Sequence, residues 1–188
     1  MFEELSSPYG AIVADPPWAY RKSKQPEGTK HSRTFVSDLY DTLTMREIAD
    51  LPVGNLAATD AHLYLWVTNP RLFGDRDKNG FGPLQIMEAW GFRYITMLTW
   101  EKPGAPGMGS YFRIDTEHVL FGVRGRAPIP PAKRVRNVIH AKRGKHSEKP
   151  PDLMDIVEKV SPGPYLELFA RQPRLGWDSW GNGLEQPA

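Results

Sequence analysis

The chain has 188 residues, 40% hydrophobic and 11% aromatic, with 24 Lys and Arg against 22 Asp and Glu and no cysteine. That length suits one domain with a sizeable core, and the composition is ordinary for a globular protein. Lack of cysteine excludes disulfides, cysteine-ligated zinc and thiol nucleophiles; the five histidines show no metal-ligand spacing. No stretch approaches the ~18 apolar residues of a membrane span. The acidic start Met1-Phe2-Glu3-Glu4 is unlike a signal peptide, so a cytoplasmic protein is the expectation.

In chain order, the apolar run 11–14 predicts a first strand, cut off by Pro16 and Pro17. Thr44 followed by Glu47 is a capping box and opens a helix over 44–51. Further strands are predicted at 62–67, 93–100, 118–123 and 165–169, with a short one at 136–140. A helix over 82–90 stops at Gly91, and another over 149–160 stops at Ser161-Pro162-Gly163. Such alternation predicts an α/β fold, a mostly parallel sheet with helices on both faces. One domain is expected over 1–188, with mobile loops at about 20–35 and 102–114 and a frayed tail after 182.

Chemistry is concentrated where the first strand ends, at Asp15-Pro16-Pro17-Trp18. The carboxylate of Asp15 is left at the carboxyl end of a strand, where open α/β sheets bind ligands. Neither proline has an N–H, so the carbonyls of Asp15 and Pro16 should lack a competing donor. The result is a stiff cluster of acceptors beside a flat ring, suited to a planar base with an exocyclic NH2. A turn-capping carboxylate and a packed indole are the plainer reading of the same residues.

Cations are grouped as well. Lys133, Arg134, Arg136, Lys142, Arg143 and Lys145 fall between residues 133 and 146 with two histidines and no acid. A solvated loop and a phosphate-contacting segment fit this run equally well. After the Asp15 turn, Tyr20 heads a polar stretch in which Arg21, Lys22, Lys24, Lys30 and Arg33 would meet phosphates. Asn69, just past a strand end, would line the substrate side. His31, His62, His118 and His140 are read as structural.

Taken together, the motifs resemble the MT-A70 family of adenine-N6 methyltransferases. The resemblance rests on Asp15-Pro16-Pro17-Trp18, on Leu63-Tyr64-Leu65-Trp66-Val67-Thr68, and on Trp90-Gly91-Phe92 with Trp100-Glu101-Lys102. It continues through Glu117-His118-Val119-Leu120-Phe121-Gly122 and His146-Ser147-Glu148-Lys149-Pro150. It closes with Tyr165 to Arg171, Gly176-Trp177 and Gly181-Asn182. The order is the family's, and nearly the whole chain is covered.

The resemblance implies a Rossmann-like class I methyltransferase domain using S-adenosylmethionine, with the catalytic turn first and the main cofactor strand last. It implies methyl transfer to the N6 amine of adenine in nucleic acid, with DNA expected. Asp15 and Pro16 would orient the amine, Pro17 would stiffen the turn, and Trp18, helped by Tyr20, would stack on the base. Asp15 would also touch the methionine end of the cofactor. Lys149 would pair with the cofactor carboxylate, despite standing at a predicted helix start where a cation is disfavoured. Ser147 would cap that helix or touch the same carboxylate. Glu167, Arg171 and Asn182 would serve the ribose, and Phe169 the adenine. Trp177 and Trp180 are read as packing residues, and no metal is expected.

Two other functions remain open at this level: an RNA adenine-N6 methyltransferase, and a non-catalytic subunit that only binds nucleic acid. Against the second stand the intact Asp15, Trp18, Lys149 and Asn182. No segment reads as a separate target-recognition domain. A homodimer or an accessory specificity subunit, in a bacterial or phage-infected cytoplasm, is therefore the expected setting.

Overall fold

The computed structural model describes residues 2, 4–6, 8–19, 42–74, 80–104, 107, 111–144, 148–181 and 184. Seven strands form one sheet: β1 (Tyr9–Ala14), β2 (Ala57–Val67), β3 (Arg93–Glu101), β4 (Thr116–Arg124), β5 (Val138–His140), β6 (Tyr165–Leu168) and β7 (Trp177–Trp180). Their order across the sheet is β5-β3-β4-β2-β1-β6-β7. Strand β4 runs antiparallel to both neighbours, and every other pairing is parallel. The carboxyl ends of β1, β2, β3, β5, β6 and β7 therefore share one rim.

Alternation along the strands divides the core in two. Ile12, Leu63, Leu65, Leu120, Leu166 and Leu168 face one side, where α1 (Met45–Ala49) and α2 (Pro83–Ala89) supply Met45, Ile48, Ile86 and Met87. Ala11, Val13, Tyr64, Trp66, Val119 and Phe121 face the other, against Leu153, Val157 and Val160 of α3 (Asp152–Val160). A strand buried on both faces reads as a continuous apolar run, which is why β1 and β2 were visible in the sequence. Among the described residues, no helix is long and apolar enough to cross a membrane.

The predicted caps are present. Thr44 accepts the Glu47 amide while Glu47 accepts the Thr44 amide. Gly91 takes φ 82° just past α2, a left-handed position that closes the helix with amide bonds from Gly91 to Glu88 and from Phe92 to Met87.

Several element ends differ from expectation, among them the start of β2 at Ala57 rather than 62. Helix α3 begins at Asp152 rather than 149, because Pro150 and Pro151 precede it and Pro151 is its N-cap residue. Lys149 is thus outside the helix. Strand β6 ends at Leu168, and Phe169 turns to φ 64°, a left-handed conformation that a bulky side chain rarely adopts. Strand β7 was not foreseen. Trp177-Asp178-Ser179-Trp180 has no apolar run, and it is a strand because its backbone pairs in parallel with β6. Its side chains latch the start of the chain: Asp178 accepts from Ser6 Oγ at 2.7 Å and from the Tyr9 hydroxyl, and Phe2 meets Trp180 edge-on. Burial, with Asp178 beside it, pushes the Tyr9 phenol up to about 12.

Candidate active site

The turn after β1 is held from every side. The Asp15 amide donates to the Leu168 carbonyl at 3.4 Å, which ties the turn to the end of β6. Trp18 N–H donates to the Pro16 carbonyl at 2.9 Å, and the Leu43 amide donates to the Pro17 carbonyl at 2.9 Å. The Pro16 carbonyl thus has a donor, contrary to expectation, and keeps one lone pair for a ligand. The Trp18 indole donates to the Trp66 carbonyl at 3.2 Å, and its ring is 4% exposed within the core. The stacking surface expected of Trp18 is therefore not open; the ring pins the turn from beneath. The Arg71 guanidinium adds a bond to the Ala19 carbonyl.

Four charges alternate across the rim next to this turn. Lys149 Nζ lies 2.7 Å from Asp15 Oδ2 and 3.5 Å from Glu117 Oε2, and Lys102 bonds the other Glu117 oxygen. Two tryptophans meeting edge to face form the floor: Trp66 lies 5.3 Å below Lys149, and Trp100 lies 4.3 Å below Lys102. Burial opposes the Lys149 ammonium, but Asp15 and Glu117 outweigh it and hold its pKa above the ordinary lysine value. Burial also opposes the Glu117 charge, yet Lys149 and Lys102 keep its carboxyl below the usual range. Lys149 is a paired cation at the mouth of the site, and no helix dipole is involved. Glu117, Lys102 and Trp66 stood in the matching motifs, but no role was assigned to them; a charge just ahead of the apolar run of strand β4 was the available signal.

A cleft of about 970 Å³ opens here, lined by Asp15, Trp66, Lys149, Glu167, Phe169 and Arg171 among others. The parallel register of β1 and β6 sets Val13 beside Glu167 and Ala14 beside Leu168, so both strands deliver their terminal acids to one wall. Burial first, and Asp15 second, push the Glu167 carboxyl up to about 7. Arg174 fastens the outer wall to α3 through Asp155 at 2.7 Å and Glu158 at 2.9 Å. The sequence reading missed this residue, since its carboxylates are brought up by α3. Acids, a lysine, an arginine and an aromatic ring in one cleft fit a ligand with a carboxylate, polar hydroxyls and a flat base. Among the described residues, no cluster could hold a metal ion.

Along the rest of the rim, Asn69 Nδ2 donates to the Thr116 carbonyl at 2.7 Å, and its Oδ1 meets His118 Nε2 at 3.1 Å. It ties the turn after β2 to β4 beside the site. Arg143 reaches the Ile114 carbonyl at 2.8 Å, and Lys142 is its exposed neighbour. Lys133, Arg134 and Arg136 are elsewhere, and Lys145 lies outside the described residues. Arg134 and Arg136 line a separate apolar groove of about 640 Å³ with Arg93 and Val123, toward the end of the sheet opposite the rim, and Lys133 sits in the 3-10 turn before them. The expectation of one continuous phosphate-contacting segment is corrected on this point: the chain turns away from the rim between 137 and 133. His62 is buried and bonded to Ser161 and Ala127, a structural role as read. Tyr20, Arg21, Lys22, Lys24, Lys30, Arg33, Ser147 and Asn182 lie outside the described residues.

A parallel-rich sheet wrapped by helices, with an acid-ended first strand and a mixed-charge cleft at the carboxyl rim, fits a Rossmann-like methyltransferase fold. The MT-A70 family model matches residues 9–183, and the chain belongs to that family. It is 36% identical to the Type II methyltransferase M.MunI of Mycoplasma sp, over 95% of this chain and 78% of that protein. It is 30% identical to the N(6)-adenine-specific methyltransferase METTL4 of Mus musculus, over 93% of this chain and 37% of that one. With the N6-methyladenosine RNA methyltransferase MTA1 of Pyricularia oryzae it shares 31% identity, over 94% of this chain and 47% of that one. The chain thus spans most of the first relative and less than half of the other two.

Proposed function

We propose that this protein methylates the N6 amine of adenine in DNA and that the turn at Asp15 is its catalytic element. The observation that carries this reading is the Asp15 carboxylate, fixed at the end of β1 with Oδ2 held by Lys149 at 2.7 Å. DNA is favoured because the relative matched over most of both chains bears the name of a Type II methyltransferase. RNA is the second reading, favoured by the likeness to a relative named as an RNA methyltransferase.

Adenine's amine is a poor nucleophile because its lone pair is delocalised into the ring. Asp15 Oδ1 and the remaining lone pair of the Pro16 carbonyl accept its two N–H bonds, which holds the nitrogen in line and returns electron density to it. S-adenosylmethionine held in the cleft would supply an electrophilic methyl carbon on a sulfonium, with a neutral thioether as the leaving group. Lys149 and Arg171 suit its carboxylate, Glu167 its ribose hydroxyls and Phe169 its adenine. Asp15 takes the proton that the methylated nitrogen releases and passes it to water. No covalent enzyme intermediate is needed, in keeping with a chain that has no cysteine.

The test is incubation with a labelled methyl donor and matched DNA and RNA pools, followed by nucleoside mass spectrometry. N6-methyladenine is expected in the DNA pool and absent with Asp15→Ala, which should still bind S-adenosylmethionine by calorimetry. Undiminished turnover in that variant would overturn the role of Asp15; label in RNA alone would move the substrate to the second reading.

A further inference from the structure

Three aromatic rings stand in solvent on the rim that carries the catalytic turn. Tyr111 is 95% exposed, Phe112 84% and Phe73 90%. Rings of this size bury 150–250 Å² when they pack, so leaving three of them in water forgoes much of the hydrophobic stabilisation available to a fold. Six other large aromatics are buried: Trp18, Tyr64, Trp66, Trp90, Phe92 and Trp100 are all under 5% exposed.

Their placement is specific. Phe73 stands two residues past Arg71, whose guanidinium bonds the Ala19 carbonyl next to Trp18. Tyr111 and Phe112 lie on the connection from β3 to β4. That connection is fastened on one side by Arg143 to Ile114 at 2.8 Å and on the other by Asn69 to Thr116 at 2.7 Å. The rings therefore stand on two loops of the rim that carries the Asp15 turn. Cations are interleaved with them, for Arg113 follows the pair directly and is exposed, and Arg143 is 40% exposed.

We propose that Tyr111 and Phe112, with Phe73 on the neighbouring loop, form a stacking platform for the unpaired bases beside the target adenine. The proposal rests on the nucleic-acid reading above and deepens it, because it makes single-stranded or locally opened nucleic acid the form that is gripped. Trp18 cannot take this part while it is packed beneath the turn. Aromatic faces interleaved with arginines match a strand of bases on a phosphate backbone.

The test measures binding of fluorescein-labelled single-stranded oligonucleotides and of duplexes with a mismatch at the target adenine, across a salt series. Tyr111→Ala and Phe112→Ala should each weaken single-strand binding about tenfold. The slope against salt should stay unchanged, since no phosphate contact is lost. Tyr111→Phe should keep wild-type affinity, and S-adenosylmethionine binding should be the same in all variants. A 2-aminopurine next to the target adenine should be quenched by wild type and not by the double alanine variant. Wild-type affinity and quenching in the alanine variants would overturn the proposal, as would a change confined to self-association by sedimentation. If wild type itself bound no oligonucleotide, the nucleic-acid reading would fall first and this proposal with it.

Discussion

Lys149 and Asp15, 134 positions apart in the chain, meet at 2.7 Å over the face of Trp66. Neither charge belongs to a local motif with the other. The parallel packing of β1 against β6, and the extended segment that leads into α3, bring them together. Glu117 and Lys102 extend the pair into an alternating row with no net charge.

Replacing Lys149 with Met keeps the length of the side chain, leaves Asp15 without its lysine and leaves Glu117 with Lys102 alone. Removing one member of a buried pair costs about 3–5 kcal/mol; this lysine is 19% exposed, and we expect about 2. Urea unfolding would read the loss, and calorimetry should show S-adenosylmethionine affinity reduced at least tenfold. Wild-type affinity would remove Lys149 from the cofactor site.

Glu117 is a positioning residue, because it touches both lysines and holds Lys149 over Trp66. Lys102→Met and Glu117→Gln should be less destabilising together than their sum, with a coupling of about 1–2 kcal/mol. A double-mutant cycle in urea gives that number. Glu117→Gln should also raise KM for S-adenosylmethionine more than it lowers kcat, whereas a merely structural role would leave KM in place.

The Glu167 carboxyl titrates at about 7 in the fold against an ordinary value of 4.5. Between these two values the folded protein holds a proton that the unfolded chain has released, so stability falls as pH rises across the window. Above about 7 both states are ionised and the dependence levels off. Glu167→Gln should flatten this stretch of the profile and raise stability at pH 8 by about 1–3 kcal/mol relative to wild type. Thermal unfolding across the pH range would check it; an unchanged slope would reassign the titration.

Trp18 is 4% exposed and donates to the Trp66 carbonyl, so its role is to seat the turn. Trp18→Phe removes the donor and leaves that carbonyl unsatisfied, at a cost of about 1–3 kcal/mol. Trp18→Ala adds a cavity and should cost about 3–5. In the Phe variant kcat should fall while oligonucleotide affinity stays near wild type. A loss of oligonucleotide affinity with stability intact would restore Trp18 as a stacking surface.

Much of the fold was legible because its causes are local. Strands buried on both faces are apolar runs; the Thr44–Glu47 box and Gly91 punctuate helices by their own chemistry. Strand β7 was not legible, because Trp177-Asp178-Ser179-Trp180 becomes a strand only through the edge that β6 offers. The same distinction separates the cations of 133–143. They are one run in the chain, but Arg134 and Arg136 line a groove toward the far end of the sheet while Arg143 braces the rim.

From sequence alone came the strand cut off by Pro16 and Pro17, the carboxylate that this leaves at its end, and the motif order that marks the family. Those follow from bonded geometry and from the side chains at fixed neighbouring positions. Tertiary structure decided that Trp18 faces inward, that Lys149 answers Asp15, and that Glu167 is held near neutrality. Each depends on which surfaces lose water when distant segments pack, and charge strength and ring exposure follow from that loss.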